Sequence, residues 1–196
     1  MTSYYSQYSR VFVSVDCIIF GFDEGHLRVL IGKRQMDPGR GEWSLYGGFV
    51  GSDESVDDAA SRTLFELTGL RNLYMRQVGA FGSIDRDPGE RVISIAYCAL
   101  INVKDYDDRL REEHGVEWVN YNQLPAMYSD HREMIRKARR MMQEKIKTDP
   151  SVSVCSRTSS RSPSCSVSMR LSTASWSISA TSASASRTWS LLRKPN

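Results

Sequence analysis

The stretch Gly47–Leu70, GGFVGSDESVDDAASRTLFELTGL, decides how this chain is read. It opens with a glycine turn and an acidic loop. After that, Val56, Ala59, Ala60, Leu64 and Leu67 recur at the spacing of one helix face. Ser52 or Asp53 can cap the helix, and Asp53, Glu54, Asp57 and Asp58 suit its positive N-terminal end. Gly69 stops it, because glycine takes the left-handed conformation of a helix C-terminus at little cost.

On the N-terminal side, RVFVSVDCIIFGF (10–22) is rich in Val, Ile and Phe and predicts a buried strand. DEGH (23–26) is a turn, LRVLIGKR (27–34) a second strand, QMDPGRGE (35–42) a Pro/Gly loop and WSLYGGFV (43–50) a short strand. On the C-terminal side, 73–86 and 91–101 predict strands around the loop DRDPGE (85–90). Residues 113–125 contain a further short strand with Trp118, and 130–147 form a second helix whose apolar side includes Met134, Ala138, Met141 and Met142. The order β-β-β-α-β-β-β-α predicts an α/β fold, a mixed β-sheet sandwiched between helices, over residues 1–147.

Bulk properties narrow the classes. No run of 18 apolar residues exists to span a membrane, and the N-terminus lacks a signal-peptide pattern, so no membrane partner and a cytoplasmic location are expected. Cys17 and Cys98 lie in apolar runs and suit buried thiols. The formal net charge is +3, but the last 46 residues hold six basic groups and no acidic one. Residues 1–150 therefore hold 20 basic and 23 acidic groups, a net of −3, and no basic stripe for nucleic acid is expected there.

Gly48, Glu54, Arg62, Leu64, Glu66, Gly69 and Leu70 fit seven of the nine fixed positions of a known signature. It runs Gly, five residues, Glu, seven residues, then Arg-Glu-apolar-any-Glu-Glu-any-Gly-apolar. On these residues the chain resembles the Nudix hydrolase superfamily, which implies the Nudix fold. The departures are Thr63 and Leu67, where the family has Glu. In the family that pair, four residues apart on one helix face, holds the Mg²⁺ or Mn²⁺ that neutralises a diphosphate and activates water. Thr63 offers a neutral oxygen and Leu67 none. Glu54 and Glu66 remain, and Glu66 stands four residues after Arg62, in reach of an ion pair. No catalytic residue, cofactor or metal site is therefore expected. Mg²⁺ or Mn²⁺, held by Glu54 and Glu66, enters only under the alternative of a divergent hydrolase of ADP-ribose-like diphosphates. Placing Glu at both 63 and 67 is expected to create Mg²⁺ affinity if the cleft is otherwise intact.

The segments DCIIFGF, GEWSLYGGFV, ESVDDAASRTLFELTGL, GAFGSIDRDPGERVISIAYCALI and LPAMYSDHREMIRKA resemble Nudix-related transcriptional regulators more closely. The nearest resemblance is to the arabinose-utilisation type of Bacteroides-like bacteria; regulators of NAD metabolism, which sense ADP-ribose-type ligands, are more distant. The resemblance implies a catalytically inactive sensor domain, a homodimer, a small-molecule effector (sugar or ADP-ribose-like) and DNA as partner through a C-terminal winged-helix domain. A sugar or nucleotide cleft beside the signature helix wants a stacking aromatic and several charged groups. Arg34, Glu42, Trp43, Asp85, Arg86 and Glu90 are the candidates, while Asp130, His131 and Glu133 are expected to form a helix cap and first turn.

Residues 148–196 change character. Ser makes up 17 of the last 46 residues. The segment reads as a disordered, non-globular Ser/Arg-rich tail. Yet the codons of Ser151–Arg161, moved by one base, permit I-G-F-x-L-L-P-x-L-F-T, and those of Ile178–Ala185 permit D-K-R-N-F-R-K-R. Both strings resemble the opening of the regulators' winged-helix domain. A one-base frameshift near Pro150 is the expectation.

Overall fold

The computed structural model describes residues 4–23, 26–69, 73–103 and 112–148, and the strand segments 153–155, 165–171 and 176–182. β1 (Phe12–Asp23) is the organising strand. It pairs antiparallel with β2 (His26–Lys33) and β4 (Tyr46–Phe49), and parallel with β6 (Val92–Asn102). β3 (Trp43–Ser44) and β7 (Val116–Asn120) flank β2, and β5 (Arg76–Phe81) closes the far edge against β6. The result is one mixed seven-stranded sheet.

Two helices cover it: α1 (Val56–Thr68) and α2 (His131–Thr148). Side chains alternate along β1 with period two. Ile18, Phe20 and Phe22 join Met134, Ile135 and Ala138 of α2, whereas Cys17 and Ile19 join Leu64 and Leu67 of α1. Val15 extends the α1 side with Ala59 and Ala60. Burial on both faces explains why the strand reads as a nearly continuous apolar run. Cys17 and Cys98 are free, buried thiols, and burial pushes Cys98 up to about 11.

Several boundaries differ from the sequence reading. The α1 cap is Ser55, not Ser52 or Asp53: its hydroxyl accepts from the Asp58 N–H at 3.1 Å. The Glu54 carboxylate accepts from the Gly51 N–H at 2.8 Å, which folds 51–54 into a turn ahead of the helix. The strand expected over 43–50 is interrupted at Leu45, whose N–H is taken by His131 Nδ1 at 3.1 Å. The strand expected over 73–86 is confined to 76–81, because Gly82 and Ser83 turn their carbonyls to the Arg91 guanidinium. In the segment expected to lack regular structure, β8 (Ser153–Cys155), β9 (Cys165–Leu171) and β10 (Trp176–Ser182) form a separate three-stranded antiparallel sheet. CSVSMRL and WSISATS alternate Ser with apolar residues, a two-residue period that the high Ser content obscures. The rest of 149–196 lies outside the described residues. No helix among the described residues is long and apolar enough to cross a membrane.

Candidate functional site

The remnant signature forms a compact charge cluster on the outer side of α1. Arg62 donates to both carboxylate oxygens of Glu54, at 2.7 and 3.1 Å, to the Phe49 carbonyl at 3.2 Å, and to Glu66 at 3.4 Å. The Arg62 hydrogen bonds, followed by that from Gly51, hold Glu54 down at about 2. Glu54 thus stabilises the fold above its ordinary carboxylate range, and that contribution is lost as pH falls towards 2. Carboxyl-carbon NMR is expected to show Glu54 titrating about two pH units below an exposed glutamate; titration near the ordinary value would contradict the clamp.

The two departures from the signature turn the other way. Thr63 and Leu67 are each 1% exposed. Leu67 packs with Cys17, Ile19, Leu30 and Leu64. Thr63 faces Gly48, where an added Cβ would stand 3.1 Å from its hydroxyl, and that hydroxyl has no hydrogen-bond partner. A hard divalent cation needs several convergent carboxylate oxygens. Glu54 and Glu66 are both engaged by Arg62, and among the described residues no three His, Cys, Asp or Glu side chains converge on one point. The donors present do not fit the metal that the signature implies.

A second polar cluster lies on the other face of the sheet, under the N-terminus of α2. Its centre is Asp16, a buried carboxylate on β1. It accepts a very short hydrogen bond from the buried Ser94 hydroxyl. Gly47 is required beside it, since a Cβ there would come within 2.4 Å of Asp16 Oδ1. Arg86, 8% exposed, reaches in from the 82–91 loop. It donates to both oxygens of Asp130, at 2.9 and 3.0 Å, and lies 3.9 Å from Asp16. Burial opposes its charge, but the hydrogen bonds it donates to Asp130 and the charges of Asp130 and Asp16 outweigh it, so Arg86 is held above its ordinary value. The Ser129 hydroxyl donates to the Arg86 carbonyl and fastens the loop a second time.

His131 completes the cluster. Its Nδ1 accepts from Leu45 N–H, which leaves the proton on Nε2, 3.8 Å from Asp16. Burial lowers its pKa despite the attraction of Asp16, so the ring is neutral and this contact is not an ion pair at neutral pH. The unfolded chain takes up a proton near 6.5 that the folded chain resists. Stability is therefore full above 6.5 and falls as pH drops below it, until the lowered folded value is reached. Thermal melts from about pH 7.5 to about pH 5.5 are expected to show a loss that His131→Gln lacks. Parallel curves would contradict this.

The candidate ligand residues distribute unevenly. Arg34 stacks on the Tyr128 ring at 4.0 Å and donates to the Pro38 carbonyl at 2.9 Å. Trp43 lies under Lys33 Nζ at 3.9 Å, packs against the α2-side core and accepts from the Tyr128 N–H at 2.8 Å through its carbonyl. The 35–42 loop meets the 85–90 loop where Pro38 approaches Gly89. Arg34, Trp43 and Arg86 are thus gathered about Tyr128 and the start of α2, not beside α1. Glu42 is exposed, with its backbone bonded to Arg34 and Gly39; Asp85 and Glu90 are exposed on their loop. Sequence reasoning missed Asp16, Ser94 and Tyr128. The one available signal was a lone charge inside the apolar run VFVSVDCIIF, which must find a partner when buried.

A mixed sheet between two helices, with the glycine pair of β4, the Glu54–Arg62 clamp and the α1 signature at its edge, defines a Nudix-fold domain. The NUDIX domain family model matches residues 11–138, and the chain belongs to that family. An ADPR responsive transcriptional repressor, NtrR, of Acinetobacter baylyi is 34% identical over 137 residues, 68% of this chain and 55% of the repressor. The match thus spans little more than half of that relative. An ADP-ribose pyrophosphatase of Methanocaldococcus jannaschii is 34% identical over 135 residues, 67% of this chain and 75% of the enzyme. Among solved structures, Shewanella oneidensis NrtR complexed with a 27mer DNA is similar at a TM-score of 0.62 and 28% identity, over 68% of this chain and 63% of that one.

Proposed function

We propose that this chain carries the effector-sensing domain of a transcriptional regulator and binds its effector without cleaving it. The observation that carries this is the inward burial of Thr63 and Leu67: the helix positions that would present metal-binding carboxylates belong to the core. The relative named as an ADPR responsive repressor supports the regulatory class.

ADP-ribose is the first effector to test, since both curated relatives are named for it. The arabinose-type sugar expected from the regulator resemblance is the second. Arg34, Glu42, Trp43, Asp85, Arg86 and Glu90 are assigned to the effector site, with Tyr128 and Asp130 joining them. A diphosphate competes with Asp130 for Arg86 and so loosens the 82–91 loop from α2. Preference of the ligand for the loosened state shifts the population, the dimer arrangement and hence DNA affinity. A homodimer, a cytoplasmic location and DNA contact through an intact C-terminal winged-helix domain belong to this reading. So does the frameshift near Pro150, which a nucleotide read across the codons for 148–161 decides.

The alternative is a divergent Nudix hydrolase, favoured by the identity to the archaeal pyrophosphatase. Calorimetric titration with ADP-ribose and with L-arabinose, paired with an assay for AMP release in Mg²⁺, separates the two. Binding without turnover supports the sensor. Turnover overturns it in favour of the hydrolase, and failure of both ligands to bind removes the effector assignment.

A further inference from the structure

The charge of the domain is segregated. Helix α2 holds seven Lys and Arg against two Glu, a net of +5, so the remainder of residues 1–150 is net −8. The averaged value of −3 hid this, and the expectation of no basic stripe is corrected by the structure. Met134, Ile135 and Ala138 hold one side of α2 against the sheet. On the outer side Arg132, Arg136 and Arg140 are exposed, one turn apart. They span about 12 Å along the axis and about 80° of arc. Among the described residues none of the three is paired with an acidic side chain. Neighbouring Arg139 is tied to the Tyr121 ring at 4.2 Å, and Lys137 lies over Phe81 at 5.1 Å.

We infer that this face of α2 lies along the phosphate backbone of duplex DNA. Like charges one turn apart repel and weaken a helix by a few tenths of a kcal/mol per pair unless an anion lies across them. The anion must be extended, because the three guanidinium groups form a row. A duplex presents about seven phosphate charges over the same 12 Å. Guanidinium groups stay charged and grip phosphate oxygens in pairs, so each can neutralise one phosphate. The acidic remainder of the domain is repelled by DNA, which orients the molecule with α2 towards it. The contact positions the domain on the backbone and reads no sequence. This deepens the regulator reading and rests on it for the choice of DNA as the polyanion.

The test uses the full chain, a fluorescein-labelled duplex of arbitrary sequence and anisotropy between about 50 and 200 mM salt. The variant Arg132→Gln/Arg136→Gln/Arg140→Gln is expected to flatten the slope of log K against log salt by about 2.7, at about 0.9 per lost phosphate contact. The same decrement is expected in a background with Arg157, Arg161, Arg170, Arg187, Arg193 and Lys194 all replaced by Gln, which removes the contribution of basic groups beyond α2. An unchanged slope overturns the inference. So does a variant that alters sedimentation mass but not the slope, which would make the face a contact between copies of this chain. ADP-ribose titration of the same proteins separates the two proposals: a reduced slope without ADP-ribose binding keeps the DNA face and removes ADP-ribose as effector, and the reverse keeps the effector and removes the face.

Discussion

Leu67→Glu is expected to lower stability by about 3–5 kcal/mol at neutral pH, the cost of an uncompensated charge in a buried site. Leu67 has no route to solvent from its place among Cys17, Ile19, Leu30 and Leu64. The substitution therefore loses apolar packing and adds a carboxylate with no partner. Chemical denaturation should show the deficit shrinking as pH falls through the carboxylate range, because the neutral acid costs less to bury. Thr63→Val is the contrasting case. It removes a buried hydroxyl that has no partner and keeps the shape, so stability is expected to hold or rise by about 1 kcal/mol. A stable Leu67→Glu protein with new Mg²⁺ affinity would show that α1 can turn its signature face outward, and would revive the hydrolase reading. The simple expectation from sequence, that carboxylates at 63 and 67 restore a metal site, meets a physical obstacle in the packing.

The fold was legible because its signals are local. The apolar run of β1 and the helical spacing of α1 each lie within a few residues; the glycine turn expected at 47–48 is instead part of β4, where Gly47 and Gly48 pair with Asp16 and Val15. The loss of carboxylates at 63 and 67 was legible for the same reason. The buried cluster was not, because Asp16, Ser94, Arg86 and Asp130 come from β1, β6, a loop and the edge of α2, and no spacing links them. Arg86 and Asp130 were singled out separately, but nothing in the sequence pairs them or shows that the arginine turns inward. The cap of α1 moved from 52–53 to Ser55 because Glu54, which looked like a first-turn residue, is held by Gly51 and Arg62. The basic face of α2 was hidden by averaging charge over 150 residues of opposite sign.

Arg86→Met is the substitution that tests the second cluster. Methionine fills much of the same volume but leaves Asp16 and Asp130 without their shared cation. Asp16 is buried, and what remains beside it is the Ser94 hydroxyl and the neutral His131 ring at 3.8 Å, so it cannot recover the loss from water. A deficit of about 3–5 kcal/mol is expected, as for other buried pairs broken on one side. Adding Asp16→Asn should recover part of it, since the amide oxygen can still accept from Ser94 and no charge is left to compensate. A double-mutant cycle on Arg86 and Asp16 then measures their coupling, expected to be about 0.5–3 kcal/mol for residues in one network. Equal and additive losses would mean that the 3.9 Å separation carries no coupling and that Asp130 alone holds the arginine. Strong coupling would join β1 to the 82–91 loop. The same substitution would then free that loop from α2 without any ligand, and the variant should populate the loosened state on which the proposed sensor mechanism depends.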